Sequence, residues 1–140
     1  MKFNKLVPEL TVSDFEKSLK FYATTLGFKA EYSREDPKFA FLSLEGSQIM
    51  IEQKHHSTKE WNTAPLEHPF GRGINFQFEV KNLSLIVKRL KKENRPLRMA
   101  PKVNWYRKGR MLIGCKEILV QDPDGYLLRF SENIGTKRHN

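Results

Sequence analysis

Hydrophobic and polar positions follow the same order twice along the chain: a strand, a helix, then three more strands. Residues 5–12 (KLVPELTV) predict a strand, and Pro8, which has no N–H to donate to a ladder, confines it to an edge or to a point where the chain leaves its own sheet. A helix follows. Ser13 or Asp14 can cap its start, Glu16 sits in its first turn, and Phe15, Leu19, Tyr22 and Leu26 recur at helical spacing before Gly27 ends it. Short strands are expected over 28–34, 39–44 and 48–53, divided by Asp36-Pro37 and Glu45-Gly46-Ser47.

Residues 54–73 carry histidines, Trp61, Pro65, Pro69 and two glycines with no sustained period, and read as a long connection. The order then restarts. Ile74 to Val80 alternate apolar and polar residues, the pattern of a strand with one buried face. Asn82 can cap a second helix carrying Leu83, Ile86, Val87 and Leu90, which should end near Asn94, before Pro96. Strands are expected over 98–104, 117–121 and 126–132, with Asp122-Pro123-Asp124-Gly125 as a turn. A constant shift overlays the halves, pairing Val12 with Val80, Asp14 with Asn82, Phe15 with Leu83 and Leu19 with Val87. The predicted class is α+β: two sequential β-α-β-β-β modules forming a concave mixed sheet, with helices on the outer face. As a single domain, the chain divides into module one at 1–54, a connection at 55–72, module two at 73–134 and a frayed tail at 135–140.

Composition narrows the setting. No apolar run approaches the roughly 18 residues that cross a bilayer, and the N-terminus has no basic segment followed by an apolar run of secretory type. The single cysteine, Cys115, cannot form an intramolecular disulfide, so a reducing cytoplasm is the expected compartment. A net charge of +9 raises the question of nucleic acid. The cations, however, are dispersed over a helix face (Lys88, Arg89, Lys91, Lys92), the segment Arg107-Lys108-Gly109-Arg110, read as a loop, and the tail. That distribution argues against a nucleic-acid footprint.

Three motifs carry a resemblance. Val7-Pro8-Glu9-Leu10-Thr11-Val12-Ser13-Asp14, Phe21-Tyr22 followed by Leu26-Gly27-Phe28, and Asp122-Pro123-Asp124-Gly125-Tyr126 stand in an order that resembles the vicinal oxygen chelate superfamily, above all glyoxalase and bleomycin-resistance proteins. The resemblance implies four equivalent places, two per module, where metal-using members hold their ligands. Here those places carry Val7, Glu52, Asn75 and Arg129. Only Glu52 is a usual ligand; valine has no donor atom and arginine is a permanent cation, so no metal and no other cofactor is expected. His55, His56 and His68 fall in the connection and read as loop histidines. In resistance proteins of this kind, a proline such as Pro8 accompanies exchange of the first strand between subunits, which implies a homodimer.

With the family topology, strand alternation sends Leu10, Val12, Ile49, Ile51, Ile74, Phe76, Phe78, Ile118, Val120, Leu128 and Phe130 toward the helices. The opposite parity, with Phe39, Phe41, Glu52, Asn75, Glu117 and Arg129, lines the concave face as a small-molecule pocket. Glu52 and Arg129 can meet as an ion pair; alternatively Arg129 holds a ligand carboxylate. Trp61, Trp105 and Tyr106 fall in connections bordering the cup, where rings can stack on planar heterocycles. The expected function is metal-independent binding and sequestration of a small molecule, a bleomycin-type antibiotic being the family's example, although a strongly basic chain would repel a cationic drug at long range. The competing reading is a metal-dependent lyase, isomerase or dioxygenase of the same superfamily. With the ligand set incomplete, binding is favoured over catalysis and no catalytic residue is assigned.

Overall fold

The computed structural model describes residues 1–55 and 61–140. The first module contains β1 (Glu9–Val12), α1 (Phe15–Lys20) continued by a π-helical turn (Phe21–Thr25), β2 (Lys29–Glu35), β3 (Lys38–Leu44) and β4 (Ser47–Gln53). The second contains β5 (Asn75–Glu79), α2 (Leu83–Lys92), β6 (Met99–Lys108), β7 (Met111–Gln121) and β8 (Leu127–Arg138). Each module forms its own four-stranded mixed sheet, ordered β1-β4-β3-β2 and β5-β8-β7-β6, with one parallel pair (β1 with β4, β5 with β8) and antiparallel neighbours elsewhere. This is the predicted α+β class and the predicted repeat. Among the described residues no helix is long and apolar enough to cross a membrane.

Asp14 caps α1, its carboxylate accepting from Lys17 N at 3.1 Å, while Gln53 accepts from Phe15 N at 2.7 Å and donates to Ser13 O at 2.8 Å. These bonds occupy donors that a helix start would otherwise leave unpaired. Asn82 performs the same service for α2, accepting from Leu85 N at 3.1 Å. Leu10, Val12, Ile49 and Ile51 are buried in the first module, and Phe78, Ile118, Val120, Leu128 and Phe130 in the second, as their parity predicts. Ile74 is a correction, being half exposed just before β5 begins.

Two compact units divide the chain: Met1–Arg72 with Asp122–Tyr126, and Gly73–Gln121 with Leu127–Asn140. The Asp122–Tyr126 turn thus interrupts module two in sequence but belongs to the first unit. Tyr22 Oη donates to Asp122 at 2.7 Å, Ser13 donates to Asp124 from both its N and its hydroxyl, and Tyr126 Oη donates to Thr11 O at 3.0 Å. Burial, the largest influence, raises the Asp122 carboxyl to about 6 against the opposing hydrogen bond from Tyr22.

Two readings of the second half change. The basic segment around Arg107 is strand: β6 and β7 form a long hairpin closed at Gly109-Arg110, with Lys108 opposite Met111. The segment read as a frayed tail is also strand, because β8 runs on alongside β7 until Arg138 stands opposite Met111. Lys137 Nζ lies 4.0 Å above the Trp105 ring, and this cation–π contact helps to order a charged end.

Candidate functional site

In the first unit, register places Glu9, Thr11, Tyr32, Arg34, Phe39, Phe41, Met50 and Glu52 on one sheet face. Phe39 and Phe41, expected as ligand walls, are only 2% exposed. Tyr32 stacks on Phe41 with ring centres 5.4 Å apart, Phe3 meets Phe41 edge-on at 5.2 Å, and the Arg34 guanidinium lies 4.0 Å above Phe39. Among the rings carried by the strands of this face, Tyr32 is the accessible one, at 44% exposure. Sequence reasoning passed over it, although its strand runs antiparallel to Phe39-Ala40-Phe41 with matching parity.

Glu52 takes its partners from its own unit: His55 Nε2 at 2.7 Å and Arg34 at 3.9 Å. His55 therefore leaves the class of uncommitted loop histidines, while His56 lies outside the described residues. Glu9 sits beside this group. Burial first, and then the Glu52 charge, raise its carboxyl, with Arg34 opposing.

Next to Glu9 opens a cleft of about 700 Å³, lined among others by Thr11, Trp61, Asn62, Phe70, Arg72 and Tyr126. Its size is that of a small-molecule site. The outer wall is pinned: Phe70 N donates to Asp124 O at 2.8 Å, and the Phe70 ring meets Tyr126 edge-on at 5.8 Å. Trp61 stands at the rim, 81% exposed. The aperiodic composition of 61–72 gave no sign of this wall; only Trp61, an aromatic in a polar connection, pointed to it.

In the second unit Tyr106 shares one sheet face with Asn75, Glu117 and Arg129, the three that strand parity sends to the same side. Glu117 is 2% exposed and accepts at Oε2 from Tyr106 Oη at 2.6 Å and from Asn104 Nδ2 at 3.0 Å. Its Oε1 faces Arg129 Nη1 at 3.7 Å, an ion pair but too long for a hydrogen bond. The bond to Glu117, then burial, raises the Tyr106 phenol. Tyr106 reaches this group from within β6 rather than from a connection, and Asn104 is the member that sequence reasoning missed. Trp105 is a correction. Adjacent strand residues point to opposite faces, so its ring packs over Gly114 and Ile134, away from Glu117.

The chain matches the sequence profile of the glyoxalase/bleomycin resistance protein/dioxygenase superfamily over residues 2–130. It belongs to that superfamily. A lactoylglutathione lyase of Haemophilus influenzae is 28% identical over 134 residues, 91% of each chain. Among solved structures, a virulence protein of Salmonella typhimurium matches with TM-score 0.69 at 20% identity, covering 96% of this chain and 100% of that one. A fosfomycin resistance protein of Listeria monocytogenes matches with TM-score 0.63 at 16% identity, covering 94% of each. Both structural likenesses concern the fold.

A divalent metal of the kind used within the superfamily does not fit the residues present. At the places where the resemblance implies ligands, Val7 has no donor atom, the Glu52 oxygens are engaged by His55 and Arg34, and Arg129 is a permanent cation. No group of three His, Cys, Asp or Glu side chains among the described residues is arranged to hold a metal ion. Glu52 and Arg129 thus each have an ion-pair neighbour within their own unit, Arg34 and Glu117 respectively.

Proposed function

We propose that this superfamily member binds a small planar molecule without a metal, and that the cleft between β1 and residues 61–72 is its first contact. The observation that carries the reading is the pairing of that cleft with a set of equivalent positions whose only good metal ligand, Glu52, is already committed to His55 and Arg34. The rim indole of Trp61 supplies a stacking surface; Glu9 and Thr11 supply polar groups at the floor. A neutral or singly cationic aromatic ligand suits this lining. Phe3 and Leu6, both exposed beside Pro8, offer apolar surface for the homodimer contact that the first strand implies.

Trp61→Ala tests the cleft. An exposed rim residue contributes little to folding, so the variant should melt within a few degrees of the native protein. Ligand response should change instead. When the native protein is titrated with bleomycin, fosfomycin and S-lactoylglutathione, followed by intrinsic fluorescence and melting temperature, whichever compound binds should lose at least about tenfold in affinity in Trp61→Ala, corresponding to roughly 1.4 kcal/mol. Unchanged affinity would place the ligand elsewhere.

A further inference from the structure

The net charge of +9 is not the charge that the cleft beside Glu9 presents to a ligand. The unit formed by Met1–Arg72 and Asp122–Tyr126, which holds the cleft, has ten Lys and Arg against twelve Asp and Glu, whereas the other unit has fifteen against four. Exposed charges more than about 8 Å apart are largely screened at physiological ionic strength, so the residues at the cleft decide what a ligand meets. Among the described lining residues that balance is negative. Glu67 and Arg72 pair at 3.8 Å and cancel, which leaves Glu9. Glu52, its neighbour, already has His55 at 2.7 Å and Arg34 at 3.9 Å, but Glu9 itself has no hydrogen-bond or ion-pair partner among the described residues. It is also exposed, on the wall of an open cleft. Burial and then the Glu52 charge raise its carboxyl, so a cation brought to Glu9 relieves a like-charge neighbour as well.

We infer that the cleft selects a protonated primary amine carried on a planar aromatic ring, with Glu9 as its anchor. The inference rests on the small-molecule reading of the cleft and goes further by choosing cationic ligands over neutral ones. Ammonium N–H groups donate to the Glu9 carboxylate and to Thr11 Oγ1. Thr11 stands two residues along β1 on the same face, about 7 Å away by strand rise, a separation that one ammonium group can bridge. The Thr11 hydroxyl donates its own proton to Asn62 Oδ1 at 3.5 Å, so toward the ligand its oxygen accepts. A carboxylate would find no donor in this pair and would be repelled by Glu9. The wall at 61–72 supplies the rest of the match: Trp61, Pro65, Leu66 and Phe70 offer apolar surface to a ring, and the Trp61 indole attracts positive charge to its face.

Tryptamine, tryptophol and indole-3-acetate share one ring system and are positive, neutral and negative. Each is titrated at neutral pH into the native full-length chain and followed by the backbone amide shifts of Glu9, Thr11, Asn62 and Phe70. Tryptamine should bind at least about tenfold more tightly than tryptophol, with indole-3-acetate weaker still. Because Glu9 is exposed and unpartnered, Glu9→Gln should fold as the native chain does. It should bring tryptamine level with tryptophol while leaving tryptophol within about twofold of its native affinity. Glu9→Lys is the second check and should reverse the order in favour of indole-3-acetate. Equal binding of tryptamine and tryptophol by the native protein would overturn the inference and leave small-molecule binding intact. A preference for tryptamine that survives Glu9→Gln would overturn it too, by putting the anchor elsewhere. Shifts absent for all three probes would likewise overturn it, while the Trp61→Ala titration judges the broader reading separately.

Discussion

Alanine at position 125 is expected to destabilise the protein by about 3–5 kcal/mol, enough to unfold much of a marginally stable chain. Gly125 has φ +93°, a backbone state that L side chains rarely adopt. An added Cβ would stand 2.6 Å from Pro69 Cα and 2.5 Å from Pro69 Cβ. Proline's ring and backbone cannot swing aside, so the turn must move, and with it the bonds that tie Asp122, Asp124 and Tyr126 to the first module. Gly46→Ala is the matched control: its φ is +90°, yet nothing described lies within 4 Å of the added carbon. It should show only the backbone penalty, roughly 1 kcal/mol. Urea midpoints that drop equally for both variants would refute the packing argument.

Removing the Asp122 carboxylate should be nearly as severe. Asp122→Ala strands the Tyr22 hydroxyl and the N–H groups of Asp124 and Tyr126, which donate to Asp122 at 2.7, 2.9 and 2.9 Å. Each orphaned donor costs about 1–3 kcal/mol. Relief of a buried charge offsets part of that at neutral pH, leaving a net loss of about 2–4 kcal/mol. The proton linkage has a definite sign. Because burial holds the folded carboxyl at about 6 against 3.8, the folded state binds the proton more tightly between those values. The contribution of Asp122 is therefore most favourable below the lower value and falls by roughly 3 kcal/mol as pH rises through the upper one. Asp122→Asn keeps an acceptor for the two N–H groups and does not titrate. The stability difference between native and Asp122→Asn protein should accordingly shrink from about pH 4 to about pH 7. A pH-independent difference would mean that Asp122 is not held protonated by burial.

Sequence periodicity was most informative where one face is buried and the other wet. The alternation at 74–80 and the cap-to-glycine span of the first helix both mark real elements, with the difference that the helix loosens into a π turn at Phe21–Thr25. Strands β6 and β8 run longer than their apolar pattern because their outer halves are held by backbone pairing to β7 and by contacts such as Lys137 on Trp105, and charged residues there look like loop. At the site, parity puts Asn75, Glu117 and Arg129 on one face, while Tyr106, expected in a connection, joins them from within β6. It could not show that Glu52 turns to His55 and Arg34, since those contacts depend on side-chain reach rather than spacing. Nor could it reveal that the Asp122–Tyr126 turn is bound into the first module, a pairing of residues about a hundred positions apart.

Metal-independent binding is tested most directly by the ligand-induced shift in melting temperature of chelator-treated protein, compared with the same protein supplied with one equivalent of nickel, zinc, iron or manganese. The same shift is expected in both states, with no stoichiometric metal uptake and no lactoylglutathione lyase activity. A shift that appears only with the metal, together with turnover, would contradict it.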